Sequence, residues 1–274
     1  MLRLEMARGA FADCFRCGRL WLIQFFANPI LLALFAAWLL IPVASNLHLV
    51  FNFLFAFVLL VAALTLHACT LNFFVDRQSS DTAPLWPAAR RALRHLIPVA
   101  ICAAVFCLFW LLVNKFEAYH SNFPAYVRSI SPVSLRRHVT LHALDNLSLA
   151  VVFFARWILA PGLLLPLLLQ AADRGFRGFG KQSLFVWRKT VWNIAYWLVL
   201  LFAALLGVVA TEKLMAWTPN FKTSSLHSEA FSLALRLFVS YLFGLFSWMM
   251  TCSLLGRCAA AAGMPSNVSV DSAA

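Results

Sequence analysis

The chain has 274 residues, of which 63% are apolar and only 12% are charged, and its formal net charge is +12. An ordinary soluble domain carries about 25% charged residues, and a chain of this length cannot hide so much apolar surface in one soluble core. The composition therefore excludes disordered, collagen-like and soluble globular proteins, and it leaves a polytopic helical membrane protein.

Six apolar stretches are long enough to cross a membrane as helices. Such a helix needs about 20 mostly apolar residues to span roughly 30 Å of hydrocarbon. The stretches are continuously apolar and do not alternate with a period of two, which excludes an antiparallel barrel. In chain order they cover approximately residues 20–44, 49–74, 96–114, 147–172, 191–211 and 230–255.

The predicted fold class is all-α, with six transmembrane helices arranged in three antiparallel hairpins. Residues 1–19 are predicted to form an N-terminal interfacial amphipathic helix, and residues 20–256 a single transmembrane domain. Residues 257–274 are small, polar and rich in alanine and serine, so we expect a disordered cytoplasmic tail.

A short basic segment with apolar residues at helical spacing precedes each odd-numbered span. Before the third span, Trp86 and Leu93 stand among three arginines. A helix of this composition lies in the interface, with its apolar face at the acyl boundary and its cations at lipid phosphates. Alternatively, these are the ordinary positive flanks of the spans. The headgroup-binding residues, which we call the basic collar, are predicted to be Arg16, Arg90, Arg91, Arg94, Arg177, Lys181, Arg188 and Lys189.

The distribution of basic residues predicts the orientation in the membrane. With the N-terminus in the cytoplasm, fourteen of the 22 Lys and Arg residues fall in cytoplasmic segments and six in outer loops. Basic residues accumulate on the cytoplasmic side, so both termini are expected there. The positive charge then reflects topology and anionic lipid, and no nucleic-acid partner is expected.

Two runs carry a resemblance to a known family. One extends from Pro84 through Arg94 into Leu96, and the other from Pro161 through Arg188 into the fifth span. The pattern of three interfacial-helix-and-hairpin units resembles the six-span membrane domain of bacterial glycerophosphodiester phosphodiesterases. This resemblance implies the fold and a bacterial cytoplasmic (inner) membrane. It implies no activity, since no soluble phosphodiesterase domain is part of the pattern.

Two arginines fall inside predicted spans, where a charge at the bilayer centre costs at least ~2.5–3.5 kcal/mol. Arg156 and Arg236 are expected at similar depths in the fourth and sixth spans, so they can face one cavity and bind an anion or lipid headgroup. The alternative is that each extends to the interface or pairs with a nearby acidic residue. The expected acidic partners in that case are Asp145, Glu212 and Glu229.

The fourth span contains Pro161, Gly162 and Pro166, which predict a helix break. A proline removes the hydrogen bond to the carbonyl four residues earlier. Broken spans line cavities in some transporters, although prolines are also common in membrane helices that have no transport role.

Two further motifs have the spacing of metal or redox sites. His138, His142 and Asp145 fall on one helical face and are weak candidates for a metal site, because the Glu of the zinc-peptidase motif is missing. Cys14 and Cys17 lack the context of a redox unit, and we interpret Phe11, Cys14 and Phe15 as one buried face of the first helix. No cofactor and no catalytic residue is predicted.

These features favour a non-enzymatic integral membrane protein that organises the envelope through lipids or protein partners. Its predicted partners are anionic membrane lipids and, on the cytoplasmic face, a protein. One alternative is a transporter or lipid-translocating protein that uses Arg156 and Arg236. Another is a metal-dependent membrane enzyme at the outer loop.

Overall fold

The computed structural model describes residues 2–42, 45–78, 83–118, 122–132, 140–217 and 226–263. All regular structure in these ranges is helical. The helices, numbered in chain order, are α1 Leu2–Phe15, α2 Gly18–Leu39, α3 Asn46–Arg77, α4 Leu85–Arg94, α5 Leu96–Ala118, α6 Asn122–Ile130, α7 Leu141–Phe154, α8 Ala160–Arg174, α9 Lys181–Val191, α10 Ile194–Ala204, α11 Thr211–Ala216 and α12 Leu226–Ala261. Two π-helical turns, Ala155–Leu159 and Leu205–Ala210, and a 3₁₀ turn, Gly175–Phe179, complete the chain path.

Within the described residues, six helical segments are long and apolar enough to cross a membrane, which matches the six predicted apolar stretches. They contain between 22 and 39 residues each. Most extend beyond the predicted limits, because hydropathy marks only the apolar middle of a helix. The segments are Gly18–Leu39, Asn46–Arg77, Leu96–Ala118, Leu141–Phe179, Ile194–Ala216 and His227–Ala261.

The last helix ends later than the boundary that we placed at residue 256. It continues to Ala261, and Cys258 and Ala259 are buried. The predicted tail therefore begins too early, since apolar contacts with the rest of the bundle keep these small residues helical. Residues 264–274 lie outside the described ranges.

Side-chain caps define where several helices begin. The Ser45 hydroxyl accepts a hydrogen bond from the His48 N–H, and the Thr140 hydroxyl accepts one from the Ala143 N–H. The Asn193 side chain accepts one from the Ala195 N–H. Each cap satisfies one of the backbone N–H groups that lack a helical partner, and so fixes the start of α3, α7 and α10.

The buried core lies at one end of the bundle. It combines the last turns of α3, around Phe74, with the C-terminal half of α12, around Leu254, and α1, α4 and α9 supply further residues. Ala10, Ala88 and Val186 are the buried contributions of these three short helices. Toward the other end, α2 and α3 expose large apolar side chains such as Leu39 and Leu47.

Consecutive long helices pack against each other. Helix α2 contacts α3, α5 contacts α8, and α10 and α11 both contact α12. The short helix α4 packs on the end of α3, and α1 packs on α12. The short helices thus cover the end of the bundle at which α3, α8 and α12 finish.

Candidate functional site

A polar cavity of about 600 Å³ lies beside α4 and α5, where α8 gives way to the 3₁₀ turn and α9. Helix α4 contributes its last residue, Arg94, and the neighbouring residue His95 follows it. The lining also includes Asp173, Arg174 and, from the 3₁₀ turn, Arg177. The cavity is therefore lined by three arginines and a histidine, against a single carboxylate.

An ion-pair cluster shares Asp173 and Arg174 with this cavity. The Arg91 guanidinium donates a hydrogen bond to Asp76, and its Nε lies 3.9 Å from Asp173 Oδ1. Asp173 Oδ2 is also 3.7 Å from Arg174 Nε. Both carboxylates are only 2% exposed. Asp173 thus already shares the charge of Arg91 and Arg174, and no carboxylate among the described residues pairs with Arg94 or Arg177.

Arg91 departs from its predicted role in the basic collar. Its side chain is only 11% exposed, because position 91 falls on the side of α4 that faces the ends of α3 and α8. Arg91 therefore joins the buried cluster and does not present its charge at the surface. The other collar residues are exposed; they are Arg16, Arg90, Arg94, Arg177, Lys181, Arg188 and Lys189.

His95 and Gly175 shape one wall of the cavity. His95 Nδ1 lies 3.0 Å from the Ala172 carbonyl oxygen, so this nitrogen carries the proton and Nε2 is left toward Gly175. Gly175 has φ of 63°, a left-handed conformation that favours glycine. A Cβ at this position would lie 2.8 Å from the His95 ring, so glycine is required by space as well.

Arg94 and Arg177 make no hydrogen bond or ion pair within the described part of the chain. Arg174 is more constrained, since its Nη1 donates to Gln182 Oε1 at 3.3 Å in addition to its contact with Asp173. Arg94 and Arg177 both line the same cavity. Guanidinium groups in this arrangement can bind a phosphate or carboxylate through paired hydrogen bonds.

The two arginines predicted to share an anion site have separate protein partners. The Arg156 guanidinium pairs with Glu117, donates to Asn114 Oδ1 at 2.6 Å and lies 5.0 Å from the centre of the Trp110 ring. The Arg236 guanidinium donates to the Met215 carbonyl at 3.1 Å and to the Trp217 carbonyl.

Arg236 thereby caps the C-terminal end of α11, where helical carbonyls lack donors. Among the described contacts neither guanidinium pairs with Asp145, Glu212 or Glu229, and neither lines a described cavity. Their joint anion site stays a prediction.

The helix does not break at Pro161 as predicted, and it is irregular only in the turn before this residue. Helix α8 runs through Pro161, Gly162 and Pro166 to Arg174, and the irregularity is the π-helical turn Ala155–Leu159 directly before it. A π turn inserts one extra residue and accommodates the lost proline hydrogen bond without ending the helix. Pro161 lines a mid-bundle cavity of about 280 Å³.

The weak metal candidates are only partly described. His138 lies outside the described residues, and His142 Nε2 lies 3.2 Å from Asn146 Nδ2. No group of three or more His, Cys, Asp or Glu side chains within the described ranges is arranged to hold a metal ion. The site at His138, His142 and Asp145 remains a prediction.

Cys14 and Cys17 are both buried, and the Cys17 thiol donates to the Asp13 carbonyl at 2.9 Å. Burial raises the pKa of the Cys14 thiol to about 12, so it stays protonated at neutral pH. The predicted common face is wrong for its aromatic members: Phe11 and Phe15 are 45% and 61% exposed and pack on Phe246.

Sequence reasoning missed the carboxylates and Arg174 as members of one site. The dipeptide Asp-Arg ends the second and the fourth long helices, at Asp76 and at Asp173. This repetition is the sequence signal that marks the cluster, although only the fold brings the two carboxylates to one arginine.

In comparisons with known proteins, no family model, curated protein or solved structure matches the chain.

Proposed function

We propose that this chain is a non-enzymatic integral membrane protein that binds anionic lipid through the cavity between Arg94 and Arg177, and that it organises the envelope through lipids or a protein partner. One observation carries the proposal: two exposed arginines without described partners line the same polar cavity. Cations left in this arrangement attract a phosphate from the medium around them.

The proposed architecture is three hairpins with interfacial helices on one face. The contacts of α2 with α3, of α5 with α8, and of α10 and α11 with α12 support the hairpins. For α4, the burial pattern supports an interfacial position: Ala88 and Ala92 face the bundle, whereas Trp86 and Arg90 are exposed. An exposed tryptophan beside arginines is typical of a helix at the headgroup level.

We further propose a bacterial inner membrane, with both termini and the basic cavity on the cytoplasmic side. The excess of basic residues in the segments assigned to the cytoplasm supports this orientation. The six-span membrane domain of bacterial glycerophosphodiester phosphodiesterases remains the proposed relative. Reporter fusions at Ser79 and Ser121 test the topology: a cytoplasmic signal is expected at Ser79 and an external signal at Ser121. A cytoplasmic signal at Ser121 would overturn the orientation.

The surroundings of the cavity favour a lipid over a free anion. Ile97 and Phe176 line the same cavity and are 66% and 62% exposed. A ligand at the arginines therefore meets apolar side chains directly beside its charge. An anionic phospholipid provides both parts, with its phosphate at the guanidiniums and its acyl chains along the exposed apolar side of α5.

The test is native mass spectrometry of the full chain in detergent, titrated with phosphatidylglycerol, with phosphatidylcholine and with inorganic phosphate. We expect phosphatidylglycerol to be retained most strongly. The double variant Arg94→Gln/Arg177→Gln is expected to weaken this retention by at least about tenfold, as two charge-assisted hydrogen bonds are lost. Both positions are exposed, so the variant is expected to fold.

A matched control removes two exposed basic residues at the same end but outside both the cavity and the basic collar, as Arg8→Gln/Arg19→Gln. This control is expected to keep most of the binding. Equal loss in both double variants would reduce the effect to general basic charge and contradict a dedicated site. Equal retention of both phospholipids, or stronger retention of inorganic phosphate, would contradict an anionic-lipid site.

A further inference from the structure

A second cavity lies between α2 and α3. It shares no lining residue with the basic cavity beside α4 and α5. It has a volume of about 460 Å³ and is lined mostly by apolar side chains, including Leu31, Phe35 and Leu59. The lining residues with polar side-chain groups are Asn28, His67 and Trp38, and the Trp38 indole N–H donates to the Asn52 carbonyl oxygen. No charged side chain is among its described lining residues.

Asn28 presents a hydrogen-bond acceptor to this cavity. Its amide nitrogen donates to the Gln24 carbonyl at 2.9 Å and to Gln24 Oε1 at 2.7 Å. Gln24 is fully buried, and its own amide nitrogen donates to the Thr70 hydroxyl. This chain of donors fixes the orientation of both amides and uses both N–H groups of Asn28, so Oδ1 is the group left for a ligand.

His67 presents a donor. Neither nitrogen of its ring takes part in a hydrogen bond within the described structure, and the ring meets Trp248 edge to face at 5.2 Å. An imidazole carries at least one N–H in every protonation state. A buried polar group without a partner is costly, so a ligand that accepts from His67 would be stabilised there.

The opening of the cavity faces the outside of the bundle. Leu32 and Leu60 line it and are 68% and 55% exposed. If α2 and α3 cross a membrane, this opening meets lipid hydrocarbon. A ligand would therefore enter sideways from the bilayer, and its apolar part would stay against leucine and phenylalanine side chains.

We propose that this cavity binds an uncharged lipid alcohol. A single hydroxyl can donate to Asn28 Oδ1 and accept from the His67 N–H, which satisfies both groups at once. A carbonyl group only accepts and would leave Asn28 Oδ1 unpaired, and a carboxylate or phosphate would place its charge in an apolar cavity beside an acceptor. Diacylglycerols and isoprenoid alcohols share the required chemistry of a hydroxyl on an apolar body.

The experiment titrates the detergent-solubilised full chain with farnesol and with 1,2-dioctanoylglycerol, each beside its methyl ether, and follows binding by native mass spectrometry. The ethers keep the apolar body but have no hydroxyl donor. We expect at least one alcohol to bind saturably and at least about fivefold more tightly than its ether. The alcohol that binds more tightly identifies the lipid class.

Three variants locate the site. Ala63→Phe fills the cavity, and His67→Phe keeps the ring shape but removes the donor; both are expected to lose the preference for the alcohol. The matched control is Ala62→Phe, which places the same bulk in the separate apolar groove between α3 and α4 and is expected to bind normally.

Equal binding of alcohols and ethers, or no saturable binding of either alcohol, would overturn the proposal. So would the same loss of binding in Ala62→Phe as in Ala63→Phe. If the variants do not fold, the comparison of alcohol with ether on the unaltered chain still tests the proposal. Because the basic cavity takes no part, the outcome is independent of anionic-lipid binding.

Discussion

The Tyr196 hydroxyl donates a hydrogen bond of 3.2 Å to the carbonyl oxygen of Gly162. Pro166 has no N–H, so Gly162 is the carbonyl that α8 leaves without its helical donor. Tyr196 is fully buried on α10, and its neighbour Trp197 packs directly over Gly162. One tyrosine on the next long helix thus replaces the hydrogen bond that the proline removes.

Replacing Tyr196 by Phe is expected to destabilise the protein by about 1–3 kcal/mol, because the Gly162 carbonyl is left buried and unpaired. Pro166→Ala restores the helical N–H, so the same tyrosine change should cost less in that background. A double-mutant cycle, measured by unfolding in sodium dodecyl sulfate, gives the coupling. Strictly additive effects would show that Tyr196 does not compensate for the proline.

Removal of the Arg91 side chain should destabilise the protein more than most other single substitutions at this end of the bundle. Arg91→Gln leaves Asp76 and Asp173 buried without their shared cation, at an expected cost of about 3–5 kcal/mol. The adjacent variant Arg90→Gln alters an exposed side chain and should stay within about 0.5 kcal/mol. Similar stability losses for the two neighbours would contradict the inward orientation of Arg91.

Helix α12 packs closely on α3 at Gly256, so a methyl group added there is expected to destabilise the protein. A Cβ there would lie 2.5 Å from the Phe74 carbonyl oxygen, so Gly256→Ala must separate α12 from α3. We expect a loss of about 1–3 kcal/mol in the free energy of unfolding. The matched control is Gly244→Ala on the same helix, where nothing lies within 4 Å and the higher helix propensity of alanine should be neutral or stabilising.

The pair Arg156–Glu117 offers a test that separates a structural role from anion binding. Glu117 is 38% exposed, so screening by solvent limits the cost of Arg156→Glu to about 1 kcal/mol. If the pair joins the fourth long helix to α5, the exchanged variant Arg156→Glu/Glu117→Arg should recover stability. An exchanged variant as unstable as the single one, with anion binding lost in both, would instead support the predicted ligand role.

Thiol chemistry checks the burial of α1. The Cys14 pKa of about 12 leaves almost no thiolate at pH 7.5, so maleimide should label this thiol only after unfolding. An introduced cysteine at Arg16, an exposed position on the same segment, should be labelled rapidly in the folded protein. Rapid labelling of Cys14 in the folded state would show that α1 leaves the bundle readily.

Hydropathy and local spacing determine much of this protein without reference to the fold. Six apolar stretches predict six long helices, because transfer of each stretch out of water dominates its energy regardless of neighbours. The arginines beside Trp86 and the glycine before α9 are local sequence signals too, because they indicate the short helices α4 and α9. Helix ends are less certain, as the extension of α12 to Ala261 demonstrates, since the last turns depend on packing contacts made elsewhere.

Sequence alone established the class of protein, the number of long helices and the surplus of positive charge at their ends. Only the tertiary structure decided which charges are buried: Arg91 pairs with two carboxylates that are 97 positions apart in sequence. Arg94, three residues later, lines a cavity and has no hydrogen-bond partner among the described residues. It also gave Arg156 and Arg236 separate partners and brought Asn28 and His67 to the lining of one cavity. The reason is physical, because a hydropathy pattern fixes whether a segment leaves water, whereas the partner of a polar group depends on which helices finally lie beside it.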